Sequence, residues 1–175
     1  MSSNHITLEE INRLNQKEFV DKLFGIYEHS PWIPERAYSK APFGDGEDLA
    51  KEMRLVVAAA SHQEQLGLIA AHPELAGKAS VRKELTAESN QEQSGAGLDQ
   101  CTPEEFGLLN EMNQAYNQKF GFPFILAVKG HNRHSIIQEF SKRLNNSLED
   151  EFKACLEQID KIATFRLNDL IGKLT

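Results

Sequence analysis

His72 stands immediately before Pro73 in the stretch His72-Pro73-Glu74-Leu75-Ala76-Gly77-Lys78. Proline disfavours helical backbone in the residue before it, so His72 should end the preceding helix and carry its ring off a stiff corner. Imidazole titrates closest to neutral pH of the ordinary side chains, which suits general acid or base work; the plainer reading is a surface histidine. Downstream, Ser89, Glu92, Gln93 and Ala96 recur at i, i+3, i+4 and i+7, which on a helix gathers three polar groups on one face. A surface helix normally turns an apolar stripe inward at this spacing. This face therefore either meets solvent, with Glu92 and Gln93 as a hydrated pair, or lines a pocket. Near the C-terminus Arg166 lies at the edge of an apolar stripe formed by Leu148, Phe152, Leu156, Ile159, Ala163, Leu167, Leu170 and Leu174. Its stem could pack while the guanidinium reaches water. The other reading is a planar five-donor fork that serves an anion or a carbonyl.

Helices have to position these groups. Thr7 with Glu10, Asn15 with Glu18, Ser61 with Glu64 and Ser135 with Gln138 each pair a capping residue with Glu or Gln three positions on. Thr102-Pro103-Glu104-Glu105 adds proline at the first helical position and acids in the first turn, so a helix should run from there to Gly121. Its inner face would carry Phe106, Leu109, Met112 or Asn113, Tyr116 and Phe120. Further helices are expected over 15–27, 46–60, 61–69, 86–95, 135–144 and 147–174, with Gly95 or Gly97 closing the one that holds Glu92. Pro31 to Gly46 reads as loop. Phe122 to Val128 reads as extended, and one strand cannot make a sheet. The expected fold is all-α, a single compact domain of about seven to nine helices with one extended apolar segment.

The 175 residues, 40% hydrophobic and 26% charged, suit one globular domain. No apolar run approaches the roughly 20 residues of a membrane span. A formal net charge of −7, with no long Lys/Arg cluster, argues against nucleic acid and anionic membrane partners and leaves small molecules or proteins. The N-terminus lacks a secretory pattern, and Cys101 and Cys155 should be free thiols in a cytoplasmic protein. His131 and His134 have a spacing that holds zinc on a helix, yet they follow Gly130 in what reads as a surface loop. No nucleophile elbow, phosphate loop or dinucleotide fingerprint is present, so nucleotide cofactors have no support. A helical interaction domain using the Ser89 face, or a metal hydrolase using His72, Glu92 and another histidine, are the competing readings.

The His72 turn, Leu85-Thr86-x-x-Ser89-x-x-Glu92-Gln93-x-x-Ala96-Gly97-Leu98, Phe120-Gly121-Phe122-Pro123-Phe124-Ile125, Ile162-Ala163-x-x-Arg166-Leu167 and the early Tyr27-Glu28-His29-Ser30-Pro31-Trp32 resemble the 2-oxo-4-hydroxy-4-carboxy-5-ureidoimidazoline (OHCU) decarboxylase family, in order and over nearly the whole chain. Glu74, where many relatives carry Asp, is a small departure that keeps the charge. The resemblance implies an all-helical, cofactor-free, usually homodimeric enzyme that completes urate oxidation by forming S-allantoin. It also implies functional coupling to hydroxyisourate hydrolase, which some relatives carry as a fused domain. It implies His72 as the acid/base residue with Glu92 and Arg166 as catalytic partners. Substrate contacts would come from Pro73, from Ser89, Asn90, Gln91, Glu92 and Gln93, and from the backbone of Phe124, Ile125, Leu126, Ala127 and Val128.

Overall fold

Side-chain caps start most of the helices in the computed structural model, which describes residues 5–77 and 85–172. In chain order the helices are α1 (Leu8–Asn12), α2 (Gln16–Leu23), α3 (Trp32–Ala37), α4 (Gly46–Ala59), α5 (His62–Ala71), α6 (Ala87–Gly95), α7 (Pro103–Phe120), α8 (Arg133–Arg143) and α9 (Leu148–Ile171), with short 3-10 turns at Tyr38–Lys40 and Leu98–Gln100. Among the described residues there is no strand, in agreement with the all-α expectation. Lys78 and Leu174, named above in the turn and in the apolar stripe, lie outside the described residues, as do the first four positions.

Thr7, Asn15 and Thr102 close full capping boxes with Glu10, Glu18 and Glu105, and Ser61 and Glu64 exchange the same pair of bonds at 3.1 Å ahead of α5. At α8 the box sits three residues earlier than the sequence suggests. Asn132 caps, its side chain accepts from the Ser135 N–H, and the Ser135 hydroxyl accepts in return from the Asn132 N–H. His131 is thereby left outside the helix with its Nδ1 3.0 Å from Ser135 Oγ, so it and His134 do not form a helical zinc pair. The stretch read as loop after Pro31 instead holds α3. Pro34 is tolerated there because the first helical turn has no internal acceptors for its N–H groups. The expected 15–27 helix stops at Leu23, and a turn closed by the Ile26 N–H on Leu23 O carries the chain to Glu28.

The described chain forms two compact units, one up to Ala71 together with residues from Asp160 on, the other from His72 to Ile159. In the first, Ile11, Phe19, Leu23, Ile33, Leu49, Met53, Leu68 and Ile69 are almost fully buried, and Phe19 packs against the rings of Tyr38 and Phe43. Asn12 tethers Phe43 by both backbone groups, each bond 2.9 Å long. In the second, Tyr116 is the hub of an aromatic cluster with Phe120, Phe122, Phe124 and Phe140, and the last two rings stack 3.9 Å apart.

The inward face of α9 differs from the apolar stripe expected for it. Leu148 is exposed and Phe152 and Leu156 half-buried, whereas Glu151, Cys155, Ile159, Ile162, Ala163, Arg166 and Leu167 are buried. The helix is rolled so that two charges face inward, because each finds an opposite charge there: Glu151 pairs with Arg143 and Arg166 with Glu28.

Candidate active site

α5 ends at Ala71, so His72 follows the last helical residue, as its position before proline requires. The His72 side chain is buried and Pro73 half-buried. The turn that follows is held from two helices by amide side chains. Gln93 on α6 accepts from the Ala76 N–H at 3.0 Å and donates to Glu74 O at 3.3 Å. Asn113 on α7 donates to Leu75 O at 3.0 Å, and Asn117, one turn on, donates to the Glu74 carboxylate. These bonds satisfy a backbone that has no helix or sheet to pair with, and they hold Ala76 at φ +51°, a left-handed conformation costly to any residue with a Cβ.

Gly77 closes the turn against Glu74. A Cβ at this position would sit 2.8 Å from Glu74 Cβ, so the Gly77→Ala variant has to open the turn that His72 begins. We expect a loss of about 1–3 kcal/mol in chemical denaturation, typical of overpacking, with a parallel loss of activity. A variant as stable and as active as the parent would show that the turn yields freely.

The polar face of α6 points inward. Ser89, Gln93 and Ala96 are buried and Glu92 half-buried, whereas Asn90 and Gln91 are exposed. Thr86 caps the helix by accepting from the Ser89 N–H, and Gly97 takes the left-handed conformation, φ +78°, just past its end. Of the two alternatives for this face, burial excludes full solvation. Its neighbour Gln93 ties Glu92 to the backbone of the turn that carries His72.

Phe124, Ile125, Leu126, Ala127 and Val128 are all buried, and the run belongs to no helix and no strand. Two side chains take over its backbone groups, Arg143 donating to Ile125 O and Gln158 accepting from the Ala127 N–H at 3.0 Å, while the backbone N–H of His131 closes on Val128 O. Arg143 is itself buried against the Phe124 ring, its Nε 2.8 Å and 3.0 Å from the two oxygens of the fully buried Glu151. Burial works against the Arg143 charge, and Glu151 more than offsets it, leaving the guanidinium more basic than usual. Cys155 lies in the same cluster, 3.3 Å from the Tyr116 hydroxyl and 3.5 Å from Arg143 Nη2. Burial pushes both the thiol and the phenol up, so at neutral pH they stay uncharged members of the brace. Sequence reasoning missed Arg143 and Glu151. The signal available was the unpaired backbone of the extended run, which required donors from somewhere.

Arg166 belongs to the other unit. Its guanidinium does not reach water: its Nη2 donates to Glu28 Oε1 at 2.9 Å and its Nη1 to Gly25 O at 3.0 Å, and both charged side chains are buried. Glu28 was noted above only within a matching stretch. An acid between buried Tyr27 and the turn at His29 was the hint of an internal cationic partner.

Cys101 is half-buried and Cys155 buried, and both are free thiols. No helix among the described residues is long and apolar enough to cross a membrane.

A family model described as OHCU decarboxylase matches residues 12–168, a span that includes the His72 turn, α6, the extended run and Arg166. The chain is 39% identical over 165 residues to the 2-oxo-4-hydroxy-4-carboxy-5-ureidoimidazoline decarboxylase of Halalkalicoccus jeotgali, covering 94% of this chain and 92% of that protein. It is also 39% identical over 163 residues to the uric acid degradation bifunctional protein of Bacillus sp. strain TB-90, covering 93% of this chain and 32% of that one. Among solved structures, a crystal structure of (S)-allantoin synthase matches with a TM-score of 0.77 at 30% identity, over 95% of this chain and 54% of the other. With a model match across almost its full length and a relative this similar end to end, the chain belongs to the OHCU decarboxylase family.

Proposed function

We propose that this protein decarboxylates OHCU to S-allantoin, with His72, Glu92 and Arg166 as the catalytic groups. One observation supports the pairing of His72 with Glu92: Gln93, the residue after Glu92, grips the backbone of the turn that His72 begins, through both the Ala76 N–H and Glu74 O. A carboxylate-bearing helix and an imidazole-bearing turn are thereby braced as one element, as acid/base chemistry on a small ring requires.

The substrate's leaving carboxylate is attached to a hydroxyl-bearing carbon next to a ring C=N. When the bond to the carboxylate breaks, its electron pair forms a double bond between the two ring carbons. The C=N pair moves onto nitrogen, which takes a proton. The substrate thus supplies its own electron sink, a task for which other decarboxylations recruit a coenzyme. The planar enol-like intermediate then loses its hydroxyl proton and gains one on the neighbouring carbon, giving the ring amide carbonyl of allantoin. In this reading His72 hydrogen-bonds the hydroxyl and manages that proton, while Glu92 orients the ring through its N–H groups. A proton delivered from one fixed side sets a single configuration. Arg166 is aimed at a ring or ureido carbonyl, where negative charge grows, because tight pairing with the departing carboxylate would stabilise the ground state. Pro73, Ser89 to Gln93 and the backbone of Phe124 to Val128 contact the substrate.

Circular dichroism during urate breakdown by urate oxidase and hydroxyisourate hydrolase tests the reading. Adding this protein should produce the optical signal of S-allantoin rapidly, against slow racemic product without it. Racemic product at the unassisted rate would overturn the reading. The bifunctional relative supports operation beside another step of urate degradation, and we place that coupling at the hydrolase. Two free thiols fit a reducing cytoplasm. The homodimer implied by the family is checked by sedimentation equilibrium.

A further inference from the structure

The Glu28–Arg166 pair is costly to build. Two opposite charges are taken almost wholly out of water, Glu28 to 3% exposure and Arg166 to 6%, and such pairs are commonly no more stabilising than apolar residues of the same size. Their geometry is specific. The guanidinium is held at both terminal nitrogens, by the Glu28 carboxylate and by Gly25 O, two acceptors three residues apart on the turn after α2. Glu28 is itself fixed by the chain that follows it: its backbone O accepts from the buried Ser30 hydroxyl at 2.8 Å. Its second carboxylate oxygen lies 3.8 Å from His29 Nε2, and His29 has a strained φ of +46°. A fork gripped at both ends keeps one plane and one direction, and the neighbouring anion cancels much of its net charge.

We propose that Glu28 is a positioning residue for Arg166: it fixes the plane of the guanidinium and offsets its charge, so that Arg166 meets the substrate as a directed hydrogen-bond donor and not as a strong binder of carboxylate. This rests on the reading of Arg166 as a group that acts on substrate. Misplacing such a donor by a fraction of its reach lowers the chemical step more than binding, on the order of 10-fold to 100-fold in kcat.

The test is a double-mutant cycle in the coupled circular-dichroism assay, run where far-ultraviolet spectra show every variant folded. Glu28→Gln keeps the reach and removes the charge. Glu28→Asp keeps the charge one methylene short and serves if the glutamine variant does not fold. Arg166→Lys keeps a cation and removes the fork. The expected result is a kcat loss on changing Glu28 of at least tenfold with KM changed less than threefold, and no further loss when it is added to Arg166→Lys. Full kcat in the Glu28 variants, or losses that multiply with that of Arg166→Lys, would overturn the positioning role. Arg166→Lys at parental kcat would instead overturn the reading of Arg166 beneath it.

Discussion

Replacing His72 by Asn should lower turnover of OHCU by about 10²- to 10⁴-fold, the range that a positioned acid or base contributes. Asparagine keeps a polar side chain of similar reach at a buried site but cannot take and return a proton near neutral pH. The backbone of the turn is held by Gln93 and Asn113 and its Glu74 carboxylate by Asn117, so its shape should survive and the melting temperature should move by only a few degrees. The readout is initial rate in the coupled assay together with the handedness of the allantoin formed. Slow, racemic product would place both the rate and the configuration on this one ring. Undiminished turnover would take His72 out of the chemistry and leave Glu92 as the first group to test.

Breaking the Arg143–Glu151 pair from one side should be the most damaging change to stability. Glu151 is fully buried in the first turn of α9, where the helix dipole also favours an acid, and it faces Arg143 at 2.8 Å and 3.0 Å. Glu151→Gln leaves the Arg143 charge buried without its counter-ion, a situation that costs about 3–5 kcal/mol. For a chain of this size that corresponds to a fall in melting temperature of roughly 6–20 °C. The double change Glu151→Gln with Arg143→Met removes both charges and should recover much of the loss. It should not recover all of it, because Ile125 O then lacks its donor. Scanning calorimetry on the two variants separates these effects. A double variant less stable than the single would mean that the guanidinium acts chiefly on the extended backbone and hardly at all through Glu151.

Helix starts in this chain are local chemistry and were legible as such. A capping box is closed by residues three apart, so Thr7, Asn15, Ser61 and Thr102 marked α1, α2, α5 and α7 without knowledge of the rest of the fold. The one shifted start, at α8, came from Asn132 outcompeting Ser135 for the same role within one turn. The inward turn of the Ser89–Gln93 face was legible as a pair of alternatives, because a polar face at helical spacing is anomalous on a surface helix but says nothing of what it meets.

The amino-acid sequence by itself determined that the protein is helical, where most helices begin, that His72 terminates one of them, and which family the chain resembles. These follow from backbone rules and motifs that act over a few residues. Only the tertiary structure decided which charges are buried and whom they meet. Arg166 finds Glu28 across 138 positions, Arg143 finds both Glu151 and the carbonyl of Ile125, and Gln93 reaches a turn 17 positions before it. The physical reason is that burying a charge or an unpaired amide is unfavourable unless a partner waits inside, and whether one waits depends on contacts that no local pattern records.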